Sequence, residues 1–325
     1  MTVLQKPFDS VTLGSARSTF YHSDCLDVFA QLPARSVDVI VTSPPYNLGI
    51  QYNQYQDTLS RSDYLQWTNA WVAAAARVLR PEGSLFLNVG AKPTDPWTAL
   101  DVAQAVRPHL QLQNIIHWVK SIAIERSAAG LTRDLAVGHY KPINSDRFVN
   151  DCHEFIFHFT PRGSTSLDRL ALGVPYQDQS NVGRWRAGAK GVRCRGNTWF
   201  IPYETIQRRD RDRPHPATFP SRLPEQCLRL HGLARTEVVM DPFMGLGSTA
   251  VACARVGVGF IGAELDEAYL KVALERTSAV LVPSEVEGRD ARSRGAATRR
   301  ELPARGTARM RKAELRDRPA RQKSS

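Results

Sequence analysis

The sequence predicts an α/β protein with a doubly wound sheet. Three observations carry that expectation. Short apolar runs of strand length alternate with longer segments of helical periodicity along the chain. One such run, Glu237-Val238-Val239-Met240, leads into Asp241-Pro242-Phe243-Met244-Gly245-Leu246-Gly247-Ser248-Thr249 and then an apolar helix over residues 250–256. The run after that helix, around Phe260-Ile261-Gly262, ends on Ala263-Glu264-Leu265-Asp266, so a carboxylate stands at a strand tip beside a glycine-rich turn.

Taken in order, strands are expected over residues 37–41, 84–89, 112–119, 155–159, 238–240 and 260–262. They are short apolar runs bounded by Gly, Pro, Asn or Asp. Helices are expected over 64–79, 97–110, 223–230, 250–256 and 267–280, where apolar residues recur at helical spacing. A chain of 325 residues with 42% hydrophobic residues suits one α/β domain with an insertion better than two equal domains. We divide it into residues 1–120, 121–213, 214–282 and 283–325.

Two of these strands end in chemistry. The run at 37–41 delivers Thr42-Ser43-Pro44-Pro45-Tyr46-Asn47. Two prolines remove two backbone donors and stiffen the turn, leaving carbonyl acceptors, a small hydroxyl and an aromatic ring. That combination suits capture of a flat base through its exocyclic amine, although Ser and Pro also punctuate ordinary strand-ending turns. In the second, Gly245 and Gly247 allow close backbone approach to a ligand. The helix starting near Ser248 offers N–H groups to an electron-rich partner, and Glu264 stands where a ribose diol is held.

Ordered this way, the motifs resemble those of the beta-group amino DNA methyltransferases, in which a Ser/Asp-Pro-Pro-Tyr catalytic motif precedes the S-adenosylmethionine motif. Ser43-Pro44-Pro45-Tyr46 matches the first, and Asp241-Pro242-Phe243-x-Gly245-x-Gly247-Ser248-Thr249 the second, with Ser248 interposed before the usual threonine. Ser23-Asp24-Cys25, the stretch from Arg77 to Asn88 and His215-Pro216-Ala217-Thr218-Phe219-Pro220 fit further segments of the family, so the resemblance covers about residues 18–281.

The resemblance implies a Rossmann-like methyltransferase sheet with circularly rearranged motif order, S-adenosyl-L-methionine as cofactor and duplex DNA as partner. It implies catalytic roles for Ser43, Pro44, Pro45 and Tyr46, with Tyr46 stacking on a flipped base. Cofactor contacts are implied for Asp24 and Cys25 at the adenine, Glu264 at the ribose, and Phe219, Asp241, Pro242, Phe243, Gly245, Gly247, Ser248 and Thr249 around the methionine portion. Asp241 can also be read as a turn cap and Phe243 as core packing. Ser at the first motif position is associated mainly with cytosine N4, and Asp or Asn with adenine N6, so Ser43 favours cytosine, with adenine the alternative. A silent DNA-binding regulator and methylation of RNA or a protein amide are competing functions. A cognate restriction endonuclease and a homodimer are compatible with the resemblance.

The segment 121–213 is irregular, and basic and aromatic residues interleave there. Its place between the two motifs matches the family's target-recognition region. Arg184, Trp185, Arg186, Lys190, Arg193 and Arg195 are the expected DNA contacts, with Trp185 or Trp199 packing on sugar or base. Residues 47–62, with Tyr52 and Tyr55, read either as a loop that closes on substrate or as an inert surface loop. Glu154 reads as a base-pocket scaffold or a surface strand end; neither it nor His153 receives a role, and His215 reads as structural.

The net charge of +11 is concentrated in residues 283–325, where 13 Lys and Arg face 6 Asp and Glu. Poor in large apolar residues, this tail reads as disordered, either a phosphate-binding arm or a solvated extension. No apolar run approaches membrane-spanning length and the polar start at Gln5, Lys6 and Asp9 is no signal peptide, so a soluble, cytoplasmic protein is expected. Cys25, Cys152, Cys194, Cys227 and Cys253 have no metal spacing, and no metal is expected. None follows a proline, which excludes the Pro-Cys nucleophile of ring-carbon cytosine methylation.

Overall fold

Each predicted strand forms, and the apolar runs are continuous because both faces of the sheet are covered. The computed structural model describes residues 7–13, 16–50, 57–130, 132–138, 144–178, 180, 182, 191–202 and 218–280. Its elements are β1 (Asp9–Leu13), β2 (Ala16–His22), α1 (Cys25–Gln31), β3 (Val37–Thr42), α2 (Arg61–Val78), β4 (Leu79–Val89), α3 (Trp97–Val106), β5 (Gln111–Val119), β6 (Ser121–Ile124), α4 (Arg126–Ala129), β7 (Leu135–Gly138), β8 (His153–Thr160), β9 (Val174–Pro175), β10 (Val192–Arg193), β11 (Thr198–Phe200), α5 (Arg222–His231), β12 (Val238–Asp241), α6 (Ser248–Val256), β13 (Gly259–Glu264) and α7 (Glu267–Ala279).

Among the described residues, nine strands make one sheet in the order β1-β2-β13-β12-β3-β4-β8-β5-β11. Strands β2, β13, β12, β3 and β4 pair in parallel, whereas β8 is antiparallel to both β4 and β5. From β3 the chain winds outward one way through α2 to β4, and from β12 the other way through α6 to β13. The winding therefore reverses between β3 and β12, whose Ile40 and Met240 are register partners. A reversal of this kind opens a crevice at the carboxyl ends of the strands.

Alternation along the strands feeds two cores. Leu85, Leu87 and Val89 of β4 pack with Val28, Trp71, Val72 and Val102 from α1, α2 and α3, while Phe86 packs with Leu223, Cys253 and Leu270 from α5, α6 and α7. Asp38 is buried in β3 but satisfied: Arg80 donates to one oxygen at 2.8 Å and the Glu237 and Val238 amides to the other at 2.9 Å. That bond set ties β3, β4 and the start of β12 together at the edge opposite the crevice.

Three expectations are corrected. The helix at 97–110 ends at Val106, because Pro108 cannot donate and its ring crowds the preceding turn. Strand β4 starts at Leu79 rather than residue 84, with a register shift between Val37 and Val39 absorbing the irregularity. Trp199 is buried at 2% exposure in β11, donating to the Gly196 carbonyl, so it packs the core rather than facing nucleic acid. Elements β1, β2, α1 and β11 were not expected: β2 alternates polar and apolar residues, and α1 and β11 are short. The basic tail lies outside the described residues, and none of the described helices is long and apolar enough to cross a membrane.

A buried polar chain crosses the sheet. Asn114 donates to His158 Nδ1 at 2.9 Å, His158 Nε2 lies 3.0 Å from Ser84 Oγ, and Ser84 Oγ lies 2.9 Å from His231 Nδ1. With His158 Nδ1 accepting, its Nε2–H donates to Ser84, whose hydroxyl then donates to His231. Both rings are neutral. Burial, reinforced by His231, lowers His158 to about 3; burial, reinforced by Arg235, lowers His231 to about 4. Their ordinary value is about 6.5, so below it the unfolded chain binds protons that the native chain refuses. The pair therefore destabilises the fold progressively as pH falls from about 6.5 toward those lowered values. Ser84→Ala should cost about 2 kcal/mol in urea denaturation at neutral pH, because it strands two buried imidazole nitrogens.

Candidate active site and cofactor cleft

At the reversal point lies a cleft enclosing about 1040 Å³ with its open mouth. Ser43, Pro44, Pro45 and Tyr46 line one side, carried by the turn that leaves β3. Tyr64 of α2 donates to the Pro45 carbonyl at 2.8 Å and holds the turn in place. The turn's exit is clamped as well. The buried Asp57 carboxylate accepts from the amides of Asn47, Leu48 and Ile50 at 2.8–3.0 Å, and the Asn47 side chain exchanges two hydrogen bonds with the Leu59 backbone. Asn47 adopts φ 57°, a left-handed conformation that Asn tolerates better than most residues. Of the loop 47–62, Tyr52 and Tyr55 lie outside the described residues.

Behind Ser43 runs a polar network. Ser43 Oγ and Tyr46 Oη are 2.6 Å apart, Tyr46 donates to Glu154 Oε2 at 3.1 Å, and Asn88 donates to both Tyr46 Oη (2.6 Å) and Glu154 Oε2 (2.7 Å). Lys120 closes it with an ion pair to Glu154 Oε1 at 3.0 Å. Lys120 and Asn88 were missed in the sequence, and Glu154 was left without a role. Asn88 interrupts the apolar end of β4, which is a visible signal. Lys120 and Glu154 become neighbours only through the β5·β8 register, which pairs Trp118 with Glu154.

The other side of the cleft belongs to β13, the turn after β12 and α7: Pro242, Phe243, Gly245, Ser248, Glu264 and Asp266 line it, with Phe219 and Tyr269. Asp24 and Cys25 join them from the start of α1. Asp24 caps that helix, accepting from the Leu26 amide at 2.8 Å. Burial pushes the Cys25 thiol up, with the Asp24 charge adding to the effect, so Cys25 is an inert wall rather than a nucleophile. Glu264 accepts from the amides of Gly245 (2.8 Å) and Asp266 (2.9 Å), which orients its carboxylate; burial raises its pKa and these amides oppose the rise. Phe243 serves both cleft and core, packing on Trp67 and Trp71 with ring centroids at 5.3 Å.

Asp241, Gly247 and Thr249 stand behind the cleft wall rather than in it. Asp241 is buried and accepts from Thr42 (2.7 Å), Thr249 (2.7 Å) and the Phe243 amide (3.2 Å). Its position is that of the turn-cap alternative. Burial raises its pKa to about 6, and those three donors pull it down. Gly247, at φ 73°, begins α6 without a side-chain cap, and a Cβ there would meet the Ala273 Cβ at 2.7 Å. Both handedness and space therefore require glycine.

Of the expected DNA contacts, Arg184, Trp185, Arg186 and Lys190 lie outside the described residues. Arg193 is exposed on β10, and Arg195 is half-buried, donating to the Leu172 carbonyl at 3.2 Å.

A winding reversal that sets a Ser-Pro-Pro-Tyr turn against an acidic strand tip and a glycine-opened helix defines a doubly wound α/β protein with a nucleotide-type cofactor cleft at its switch point. The chain belongs to the N6/N4 DNA methylase family, whose profile matches residues 37–275. Among its relatives are the Type II methyltransferases M.ScaI of Streptomyces caespitosus, 27% identical over 80% of this chain and 81% of the relative, and M.HpaI of Haemophilus parainfluenzae, 27% identical over 78% and 72%. In fold it is similar to the cytosine-N4-specific PvuII DNA methyltransferase, with TM-score 0.57, 18% identity and coverage of 84% and 89%. It is also similar to TTHA0409 of Thermus thermophilus complexed with S-adenosyl-L-methionine, with TM-score 0.53, 23% identity and coverage of 81% and 94%.

S-adenosyl-L-methionine is the cofactor, and it supplies a methyl group made electrophilic by a sulfonium. The cleft fits it chemically. It offers an amide-oriented carboxylate for a diol, aromatic walls for a base, and an uncapped helix start for a carboxylate.

Two outcomes follow from this packing. The stabilising effect of Asp241 is full below its ordinary value of about 3.9 and is lost as pH rises through about 6. Asp241→Asn should therefore abolish about 1–2 kcal/mol of the stability change that urea denaturation reads between about pH 5 and 8. Gly247→Ala should lower stability by about 1–3 kcal/mol and weaken cofactor binding, read by calorimetric titration with S-adenosylmethionine.

Proposed function

We propose that this DNA methyltransferase transfers the methyl group to the N4 exocyclic amine of a cytosine rotated out of duplex DNA. The observation that carries the reading is Ser43: a hydroxyl, not a carboxylate, heads the catalytic turn at the cleft shared with the cofactor elements. A paired, stacked amine is out of reach inside the helix, so the base must leave the stack first. Its lone pair is delocalised into the ring and weakly nucleophilic. Ser43 Oγ and the Pro44 carbonyl accept its two N–H groups and orient the lone pair toward the methyl, while Tyr46 supplies a wall for the ring. Transfer is a direct in-line displacement in which the N–C bond forms as the S–C bond breaks, and the amine proton departs afterwards.

In the same reading Asp24, Cys25, Phe219, Pro242, Phe243, Gly245, Ser248 and Glu264 hold the cofactor, while Asp241, Gly247 and Thr249 support the turn from behind. Residues 121–213 bring Arg184, Trp185, Arg186, Lys190, Arg193 and Arg195 to DNA, with β8 and β11 of that segment completing the sheet. Residues 1–120 and 214–282 supply the catalytic and cofactor halves, and the basic tail 283–325 adds a phosphate-binding arm. The site of action is the cytoplasm, at the chromosome.

Adenine N6 is the second reading, since its amine offers the same two N–H donors to Ser43 and the Pro44 carbonyl. Nucleoside mass spectrometry of duplex DNA incubated with the protein and isotopically labelled cofactor separates the two. Labelled N4-methylcytosine is expected, reduced at least ~100-fold by Ser43→Ala and by Tyr46→Ala; labelled N6-methyladenine instead would reverse the choice of base.

A further inference from the structure

The Ser43 hydroxyl can point its proton either way along its 2.6 Å contact with Tyr46, and only one way suits an acceptor of amine protons. We propose that Glu154 and Lys120 are positioning residues that fix this polarity, so that Ser43 presents only lone pairs to the incoming amine. The inference rests on methyl transfer to an exocyclic amine as the site's reaction.

Donors and acceptors decide the direction. Glu154 Oε2 receives Asn88 Nδ2 at 2.7 Å and Tyr46 Oη at 3.1 Å; an ionised carboxylate has no proton to give, so Tyr46 must donate to it. The phenol proton is then spent. Tyr46 Oη accepts from Asn88 Nδ2 at 2.6 Å and has one lone pair left, which faces Ser43. Ser43 therefore donates to Tyr46. The opposite polarity would set a carboxylate oxygen against a phenol lone pair at 3.1 Å, which is repulsive in a site where the Glu154 side chain is only 12% exposed.

Lys120 takes up the other carboxylate oxygen, Oε1, and so leaves Oε2 aimed at Tyr46 and Asn88. Its ammonium sits 3.0 Å from Oε1 and is itself 15% exposed. Among the described residues, the other charged and titratable groups around Glu154 are Asp151, just before β8, and His153 at its start, with His117 of β5 acting on His153. Burial raises Asp151 and Lys120 opposes that rise; burial lowers His153, and His117 adds to it. Gly90 makes the room: a Cβ there would meet the Tyr46 ring at 3.1 Å and the Glu154 side chain at 3.2 Å.

Single-turnover methylation of duplex DNA, read over a series of labelled-cofactor concentrations so that the maximal rate separates from cofactor affinity, tests the inference. Glu154→Gln sets beside Tyr46 a neutral amide that can donate as well as accept and no longer dictates the polarity, so the maximal rate should fall at least ~10-fold while half-saturating cofactor stays within about 3-fold of wild type. Lys120→Met, which leaves Oε1 without its ammonium, should show the same split, and Lys120→Arg should restore the rate to within about 3-fold of wild type. Maximal rates within about 3-fold of wild type in both Glu154→Gln and Lys120→Met would overturn the inference, as would a loss of cofactor affinity in step with the rate. Circular dichroism checks the fold; should Lys120→Met unfold, Glu154→Gln decides. Absence of any amino-methylated nucleoside with the wild-type protein would defeat the underlying reaction, whereas methylation at unchanged variant rates defeats this inference alone.

Discussion

One buried carboxylate holds the two halves of the site in register. Asp241 ends β12, yet its bonds reach Thr42 at the end of β3 and Thr249 in the first turn of α6. Those elements lead respectively to the Ser-Pro-Pro-Tyr turn and to the helix start on the opposite side of the cleft, so their separation is set by hydrogen bonds of 2.7 Å rather than by loop flexibility. A carboxylate with this burial costs free energy unless every lone pair is used, and its raised pKa is the residue of that cost. Methyl transfer tolerates little misplacement between donor and acceptor, which explains a rigid strut at this point.

The sheet divides labour in a way that follows from its winding. Strands β3 and β4 with α1, α2 and α3 carry the Ser-Pro-Pro-Tyr turn and its polar backing, while β12 and β13 with α6 and α7 carry the opposite wall of the cleft. Antiparallel β8, inserted between β4 and β5, brings Glu154 against Asn88 and Lys120. A strand running against its neighbours thus delivers its first residues, not its last, to the edge of the sheet that carries the cleft.

Much of this was legible in the sequence because the local signals agreed with the tertiary outcome. Continuous apolar runs marked the doubly covered strands, and the Ser43–Tyr46 and Asp241–Thr249 motifs lay at the ends of two of them. What was hidden depended on pairing. Trp199 looked like a nucleic-acid contact because its basic surroundings are polar, but parallel pairing of β11 with β5 buries it. Asp241 looked like a ligand because its motif is, yet a strand end can turn a carboxylate inward as easily as outward. Glu154 and Lys120 lie 34 positions apart, and no periodicity announces an ion pair made by antiparallel register.

The Asp57 clamp has a practical meaning for anyone wishing to modify the protein. Three amides just beyond the Ser-Pro-Pro-Tyr turn converge on one carboxylate, and Asn47 and Leu59 are stitched together across the same gap. Whatever sequence joins residue 50 to residue 57 therefore starts and finishes at fixed points. Exchanging or lengthening that interval should leave Ser43 and Tyr46 in place, because Asp57, Leu59 and Tyr64, which hold the turn, all lie beyond it in the chain.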